Sequence, residues 1–78
     1  MEKELSNTAL ATLAAVHDAP LPPEIMRLHS RTRHYHKNPL STLLTVVRLE
    51  RAGLIKSKDN NGQIGYHITD AGREALGD

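Results

Sequence analysis

Cysteine, phenylalanine and tryptophan are absent from the 78 residues, and tyrosine occurs only twice. Without cysteine the chain has no disulfide, no thiol nucleophile and no thiolate metal ligand, which fits a reducing compartment. With so few aromatics, the core has to be built from Leu, Ile, Val and Ala. A chain of this length forms one domain with a barely sufficient core. We therefore expect a single domain over residues 1–78, which packing against a second copy in a homodimer would stabilise.

Long apolar runs are also missing, and the longest ones are far too short to span a bilayer. The first residues, Met1-Glu2-Lys3-Glu4, lack the basic start and apolar stretch of a secretion signal. We therefore expect a soluble cytoplasmic protein without a membrane partner. The sequence contains no glycine-rich phosphate loop and no motif that places a Ser/His/Asp triad. It predicts neither an enzyme nor a cofactor.

Basic residues are concentrated in the middle of the chain. The segment from Ile25 to Lys58 contains eight Lys or Arg residues and one acid, Glu50, for a formal charge of +7. The two flanks contain two basic and eight acidic residues, for −6, and the parts together give the net charge of +1. A basic middle between acidic ends is typical of a surface that binds polyanions. The alternative is a solvated face without a partner.

Apolar residues at helical spacing predict two helices in the first part of the chain. The first covers residues 5–17, with Ser6 or Asn7 as its cap, and ends before a proline. The second covers about residues 23–30, with Pro23 in its opening turn. The connector between them is extended, and a short strand would fit there.

A third helix is predicted from Asn38-Pro39, a cap followed by proline at the first helical position, to about Ala52. Gly53 is well placed to end it in a left-handed cap. Residues 31–37 follow neither helical nor strand periodicity and are predicted to form a loop. The segment is rich in Arg, His and Lys.

The last third of the sequence predicts a hairpin and a short helix. Residues 54–58 are predicted to form a strand, and the following segment Asp59-Asn60-Asn61-Gly62 favours a tight turn. Ile64, Tyr66 and Ile68 alternate with smaller or polar residues, as expected for a half-buried returning strand. Thr69 or Asp70 then caps a helix that reaches Leu76.

The order of these elements and two motifs resemble the winged helix-turn-helix family, especially its MarR-like and PadR-like transcription regulators. The motifs are Leu49-Glu50-Arg51-Ala52-Gly53-Leu54-Ile55 and Tyr66-His67-Ile68-Thr69-Asp70-Ala71-Gly72-Arg73-Glu74-Ala75-Leu76. In such proteins the first leads from the recognition helix into the wing, and the second leaves the wing and caps the next helix. The resemblance implies an α+β fold of three helices, a β-hairpin wing and a short C-terminal helix.

The resemblance also implies binding to double-stranded DNA and transcriptional regulation. The recognition helix, about residues 39–52, would enter the major groove, while the basic loop 31–37 and the wing 56–63 would contact the backbone. Helical spacing places Ser41, Thr45 and Arg48 on one side, with Thr42 adjoining, where hydroxyls and a guanidinium can contact bases. The expected DNA-binding residues are Arg31, Arg33, His34, Lys37, Ser41, Thr42, Thr45, Arg48, Lys56, Lys58, Asn60 and Asn61.

A second stripe on the same helix complicates this prediction. Alignment with the family through Leu49 directs Thr42, Val46 and Leu49 toward the core. Helical periodicity alone would instead bury the four aliphatic residues Leu40, Leu43, Leu44 and Val47. Either the helix is rotated, or it is buried on two sides, or an exposed patch binds a protein partner or a second copy. A protein-interaction module that uses this stripe is therefore the alternative function.

Five histidines raise the question of a metal site. His29, His34 and His36 cluster in the sequence, but their spacing matches no usual zinc pattern, and no nearby carboxylate completes a site. We predict no metal and interpret these histidines as polar residues on a phosphate-facing surface. In that case DNA binding would strengthen as the pH falls through about 6.5.

Overall fold

The computed structural model describes residues 5–77, apart from the side chain of Asn60. Within these residues, four helices and a two-stranded antiparallel sheet follow each other in the predicted order. The elements are α1 (Asn7–Asp18), α2 (Ile25–Arg31), α3 (Pro39–Arg51), β1 (Ile55–Asn60), β2 (Gln63–Ile68) and α4 (Asp70–Ala75).

Side-chain caps fix the starts of three helices, as the sequence predicts. A capping oxygen satisfies a backbone N–H that has no partner within the first helical turn. In each case the N–H three residues further on donates to the cap: Ala9 to Ser6 at 3.1 Å, Ser41 to Asn38 at 2.9 Å and Gly72 to Thr69 at 3.1 Å.

The second helix begins slightly later than predicted. Its cap is Glu24, so Pro23 lies just before the helix rather than in its first turn. The backbone here is extended, and the Pro23 carbonyl accepts a hydrogen bond of 3.0 Å from the N–H of Tyr66. The connector therefore lies along the outer edge of β2, although within residues 5–77 it is not itself a strand.

The end of α3 sets the direction of the hairpin. Gly53 has a φ of +79°, the left-handed conformation predicted for it. Its N–H donates to the Glu50 carbonyl, and the N–H of Leu54 donates to the Leu49 carbonyl, both at 3.0 Å. This pair of bonds is the Schellman arrangement, which satisfies the last carbonyls of a helix and turns the chain sharply.

The hairpin pairs Ile55 with Ile68 at its base and Asn60 with Gln63 at its tip. The turn is formed by Asn61 and Gly62, with φ values of 57° and 89°, as a two-residue turn of this type requires. The strands thus extend further toward the turn than predicted. The prediction of a half-buried Ile64 is wrong: this side chain is exposed because it lies near the protruding tip, beyond the core.

The core lies between the first three helices and the base of the hairpin. Its buried apolar side chains are Leu13, Val16, Leu28, Val46, Leu49, Ile55 and Tyr66. A side chain at Gly72 would collide with the Leu54 carbonyl and with Ile68, so glycine allows α4 to pack closely there. No helix in the described part of the chain is long and apolar enough to cross a membrane.

Candidate nucleic-acid interface

The basic loop between α2 and α3 is held by two buried side chains. Thr32 and His36 are almost completely buried. The Thr32 hydroxyl donates to the Leu28 carbonyl at 2.7 Å, and the Thr32 carbonyl accepts from the N–H groups of Tyr35 and His36 at 2.9 and 3.1 Å. The loop is therefore a compact turn with a fixed position relative to the helices.

The cations of this loop lie outside that anchor. Arg31, Arg33, His34 and Lys37 are all exposed, and the first three line one shallow surface depression together with Ser30. Within residues 5–77, no ion pair involves Arg31, Arg33 or Lys37. Their donors are therefore available to an external anion such as phosphate.

His36 connects the loop to two helices. Its Nε2 lies 3.0 Å from the Thr12 hydroxyl on α1, and its Nδ1 lies 3.3 Å from the Ser41 hydroxyl on α3. The Thr12 hydroxyl already donates its proton to the Thr8 carbonyl at 2.9 Å, so it accepts from His36 Nε2–H. Nδ1 is then the unprotonated nitrogen, which accepts from the Ser41 hydroxyl.

The surroundings of His36 oppose its protonation. Burial lowers the pKa of His36 below its usual range, and the nearby His29 lowers it further. A neutral imidazole satisfies both hydroxyl contacts. The prediction that the clustered histidines face phosphate is therefore wrong for His36, which is a structural residue; His34 is exposed. The Thr12–His36 contact joins residues far apart in the sequence, so local periodicity contained no signal for it.

The inner side of α3 contains Thr42, Val46 and Leu49, which are all buried. The Thr42 hydroxyl lies 3.1 Å from His29 Nδ1. The prediction that Thr42 contacts DNA is therefore wrong, because the side chain is enclosed and paired inside the protein. The family alignment, which directs these three residues toward the core, is confirmed. Helical periodicity alone predicts burial of the opposite, aliphatic side, and this prediction is wrong.

The outer side of α3 is apolar. Leu40, Leu43, Leu44 and Val47, which we call the α3 stripe, are 62%, 37%, 54% and 37% exposed. At about 100° per residue they occupy the side of the helix opposite the buried one. Four neighbouring exposed aliphatic side chains form a candidate contact surface.

Ser41, Thr45 and Arg48 lie together on one flank of α3, as predicted. They line a cleft of about 690 Å³ that also includes Tyr35 and the first turn of α1. Arg48 is exposed, while the Thr45 hydroxyl donates to the Ser41 carbonyl at 3.3 Å. Tyr35 was not among the predicted residues; it is exposed and lies in the basic loop.

The hairpin carries Lys56 and Lys58 on one face. In the antiparallel register Lys56 lies opposite His67 and Lys58 opposite Gly65, so both point away from the side occupied by Ile55 and its partner. Both lysines are exposed. The Gly62 N–H donates to Asp59 Oδ1 at 3.0 Å, which stabilises the turn that exposes Asn61. The side chain of Asn60 lies outside the described residues.

No group of three or more His, Asp or Glu side chains within residues 5–77 is arranged to hold a metal ion.

The pKa of Tyr66 is raised by burial and, to a smaller extent, by the negative charge of Glu50 on α3. At about 100° per residue, Glu50 lies on the flank of α3 opposite Ser41, Thr45 and Arg48.

No protein-family model matches the sequence, and no curated protein matches it. A solved structure of BpsR from Bordetella bronchiseptica, which concerns the regulation of its DNA binding by 6-hydroxynicotinic acid, matches the fold with a TM-score of 0.82. The chain has a winged helix-turn-helix fold. The match covers 95% of this chain and 52% of the BpsR chain at 15% identity, so this chain spans about half the length of that protein. In this fold α2 and α3 are the two helices of the helix-turn-helix unit, and β1–β2 is the wing.

Proposed function

We propose that this winged helix binds double-stranded DNA and acts as a transcriptional regulator. The observation that carries the proposal is the exposure of Arg31, Arg33 and Lys37 on a turn that Thr32 and His36 fix directly before α3. Cations on a hydrogen-bonded turn contact phosphates with a smaller loss of backbone conformational entropy. The fold shared with BpsR, whose structure concerns DNA binding, supports the proposal.

The contacts divide into two kinds. The basic loop, with His34, and the wing, with Lys56, Lys58 and Asn61, contact the phosphate backbone and supply affinity for any sequence. The flank of Ser41, Thr45 and Arg48 contacts base edges from the side of α3. Because the α3 stripe offers no hydrogen bonds, we expect sequence preference to depend mainly on Arg48.

Charge reversal tests the phosphate contacts. In Arg31→Glu/Arg33→Glu we expect at least about tenfold weaker binding to every duplex at low salt, because two phosphate contacts are lost. The dependence of log K on log salt should flatten by about two units. Fluorescence anisotropy with a duplex of mixed sequence measures both quantities.

The matched control compares two single reversals. Arg33→Glu lies in the loop, whereas Arg73→Glu lies on α4, outside the basic segment, where Arg73 pairs with Asp70. We expect only Arg33→Glu to weaken binding substantially. If both variants bind alike, general charge rather than this surface is responsible. If the unmodified protein shows no salt-sensitive binding to any duplex, DNA is not its ligand.

Selection from a random duplex library tests the base contacts. Arg48→Ala should change the selected sequence, whereas Arg33→Glu should weaken binding without changing it. We also propose that the protein binds as a homodimer, which predicts two related half-sites in the selected sequence. Sedimentation with and without the duplex measures the stoichiometry. A single half-site bound by one chain would contradict the dimer.

A protein-interaction module is the second candidate function, and the exposed α3 stripe is the observation that favours it. Leu43 and Leu44 lie outside the core, so polar substitutions there should leave the fold intact. Loss of binding to a protein partner in Leu43→Ser/Leu44→Ser, with unchanged circular dichroism, would support this function. Unfolding of the variant would show that the stripe is part of the core.

A further inference from the structure

Basic residues border the α3 stripe on the flank that lines the cleft and at both ends of the helix. Arg48 and Arg51 are exposed beside it, and Lys37 lies just before the helix begins. None of these three cations forms an ion pair with another residue of the described range. The one acid of α3, Glu50, lies on the opposite flank, where its charge acts on Tyr66.

The cleft continues this border with hydrogen-bond donors. Its lining includes Tyr35 and Arg48, and none of its ten residues is acidic. The Tyr35 side chain is exposed and forms no hydrogen bond within residues 5–77. A phenol and a guanidinium at the edge of an apolar surface are the groups that would hold a carboxylate.

We propose that the α3 stripe and its basic border bind an acidic amphipathic helix of another protein. Apolar side chains at helical spacing on the partner would cover Leu40, Leu44 and Val47, which extend over about 10 Å of α3. Carboxylates beside them would pair with Arg48 and Arg51. This arrangement removes the aliphatic surface from water and neutralises the border at the same time.

The same observations disfavour two other occupants. A second copy would bring the same basic border toward its own image, so like charges would be added to the contact. A DNA backbone supplies negative charge but little apolar surface to cover four aliphatic side chains. Only an acidic partner with an apolar face complements both properties.

The position of the surface adds a regulatory consequence, which rests on the proposed DNA binding. The partner helix would occupy the outer side of α3, next to the flank of Ser41, Thr45 and Arg48 that we propose contacts base edges. Partner and duplex therefore compete, and the acidic helix acts as an antagonist of DNA binding.

A pair of synthetic peptides tests the interaction without DNA. Both are amphipathic helices of about five turns with leucines at helical spacing; one has glutamates beside the leucines and the other lysines. We expect the glutamate peptide to bind the full chain at least about tenfold more tightly, with NMR shifts confined to the outer side of α3 and the loop. Equal affinities, shifts elsewhere or no binding of the glutamate peptide would overturn the proposal.

Variants of exposed residues separate the apolar and charged contributions. Leu40→Ser/Leu44→Ser should weaken binding of the glutamate peptide at least about tenfold. Leu21→Ser changes a similarly exposed leucine in the connector and should have no effect. Arg48→Glu/Arg51→Glu should shift the preference toward the lysine peptide. If Leu21→Ser weakens binding as much as the stripe variant, the surface is assigned wrongly.

Competition with a fluorescent duplex tests the antagonism separately. We expect the glutamate peptide to displace the duplex and the lysine peptide not to do so. If the peptide binds but the duplex stays bound, the antagonism is wrong and the docking surface stands. If no duplex binds at all, the proposed DNA function fails, while the peptide titration still decides the docking surface.

Discussion

The two sides of α3 depart from the usual distribution of polarity, since the buried side includes a threonine and the exposed side has four aliphatic residues. The inner side buries Thr42 beside Val46 and Leu49, and other polar side chains, Thr12 and His36, are buried nearby. The outer side exposes the four aliphatic residues of the α3 stripe. Buried hydroxyls cost little when each has a hydrogen-bond partner, and within residues 5–77 no buried side-chain nitrogen or oxygen lacks one. The inner side thus combines apolar burial with one paired hydroxyl, whereas the outer side exposes apolar surface.

The largest expected effect is a loss of unfolding free energy, which we test by substituting one leucine on each side of α3. Leu49→Ala should cost about 2–5 kcal/mol of unfolding free energy because it leaves a cavity in the core. Leu40→Ala removes an exposed side chain, so we expect less than about 0.5 kcal/mol. Urea denaturation followed by circular dichroism measures both. Similar losses would mean that α3 is rotated relative to the described orientation.

A smaller effect is expected from the polar network. His36→Ala removes the link between the loop, Thr12 and Ser41, and should cost about 1–3 kcal/mol. His34→Ala, in the same loop but exposed, should be close to neutral. If the two variants are equally stable, the network contributes nothing to the fold.

Thr42→Val should cost about 1 kcal/mol, because it keeps the shape of the side chain but leaves His29 Nδ1 without its partner. The matched variant Thr45→Val lies on the half-exposed flank, where water can replace the lost bond. A neutral Thr42→Val would show that the buried hydroxyl is tolerated rather than required.

The smallest effect concerns pH, because protonation of one side chain changes stability only gradually. The pKa of His36 is lower in the folded protein than the ordinary value of 6.5, so the unfolded chain takes up the proton more readily. Stability is therefore complete above about pH 6.5 and falls as the pH drops below it. His36→Ala should flatten this dependence, measured by thermal unfolding between pH 5 and 8, and His34→Ala should not. Parallel curves of stability against pH for the unmodified protein and both variants would contradict this prediction.

Much of the fold was predictable because its signals are local. Asn38-Pro39, Gly53-Leu54-Ile55 and Thr69 to Gly72 each determine a cap or a turn through neighbouring atoms, and all three predictions are confirmed. The orientation of α3 was harder to predict from the residues, because its apolar stripe is larger than its buried side. The burial of the Thr42 side depends on contacts with other elements, such as the one between the Thr42 hydroxyl and His29 Nδ1.

The candidate site divides in the same way. The exposed loop cations and the shared flank of Ser41, Thr45 and Arg48 follow from sequence spacing and agree with the structure. The burial of Thr42 and His36 does not follow from spacing, since it depends on how α1 and α2 pack against α3. Tyr35 could not be found as part of the cleft because nothing in the loop sequence indicates its proximity to the start of α1.

The bond between the Pro23 carbonyl and the Tyr66 N–H has a consequence for aggregation. It blocks part of the outer edge of β2, and Pro23, which has no backbone N–H, cannot donate a hydrogen bond to a further strand. The other edge of the hairpin belongs to β1, where Lys56 and Lys58 discourage pairing with a foreign strand. Both edges are thus protected against amyloid-like extension of the sheet. Self-assembly of this small protein through backbone pairing is consequently disfavoured.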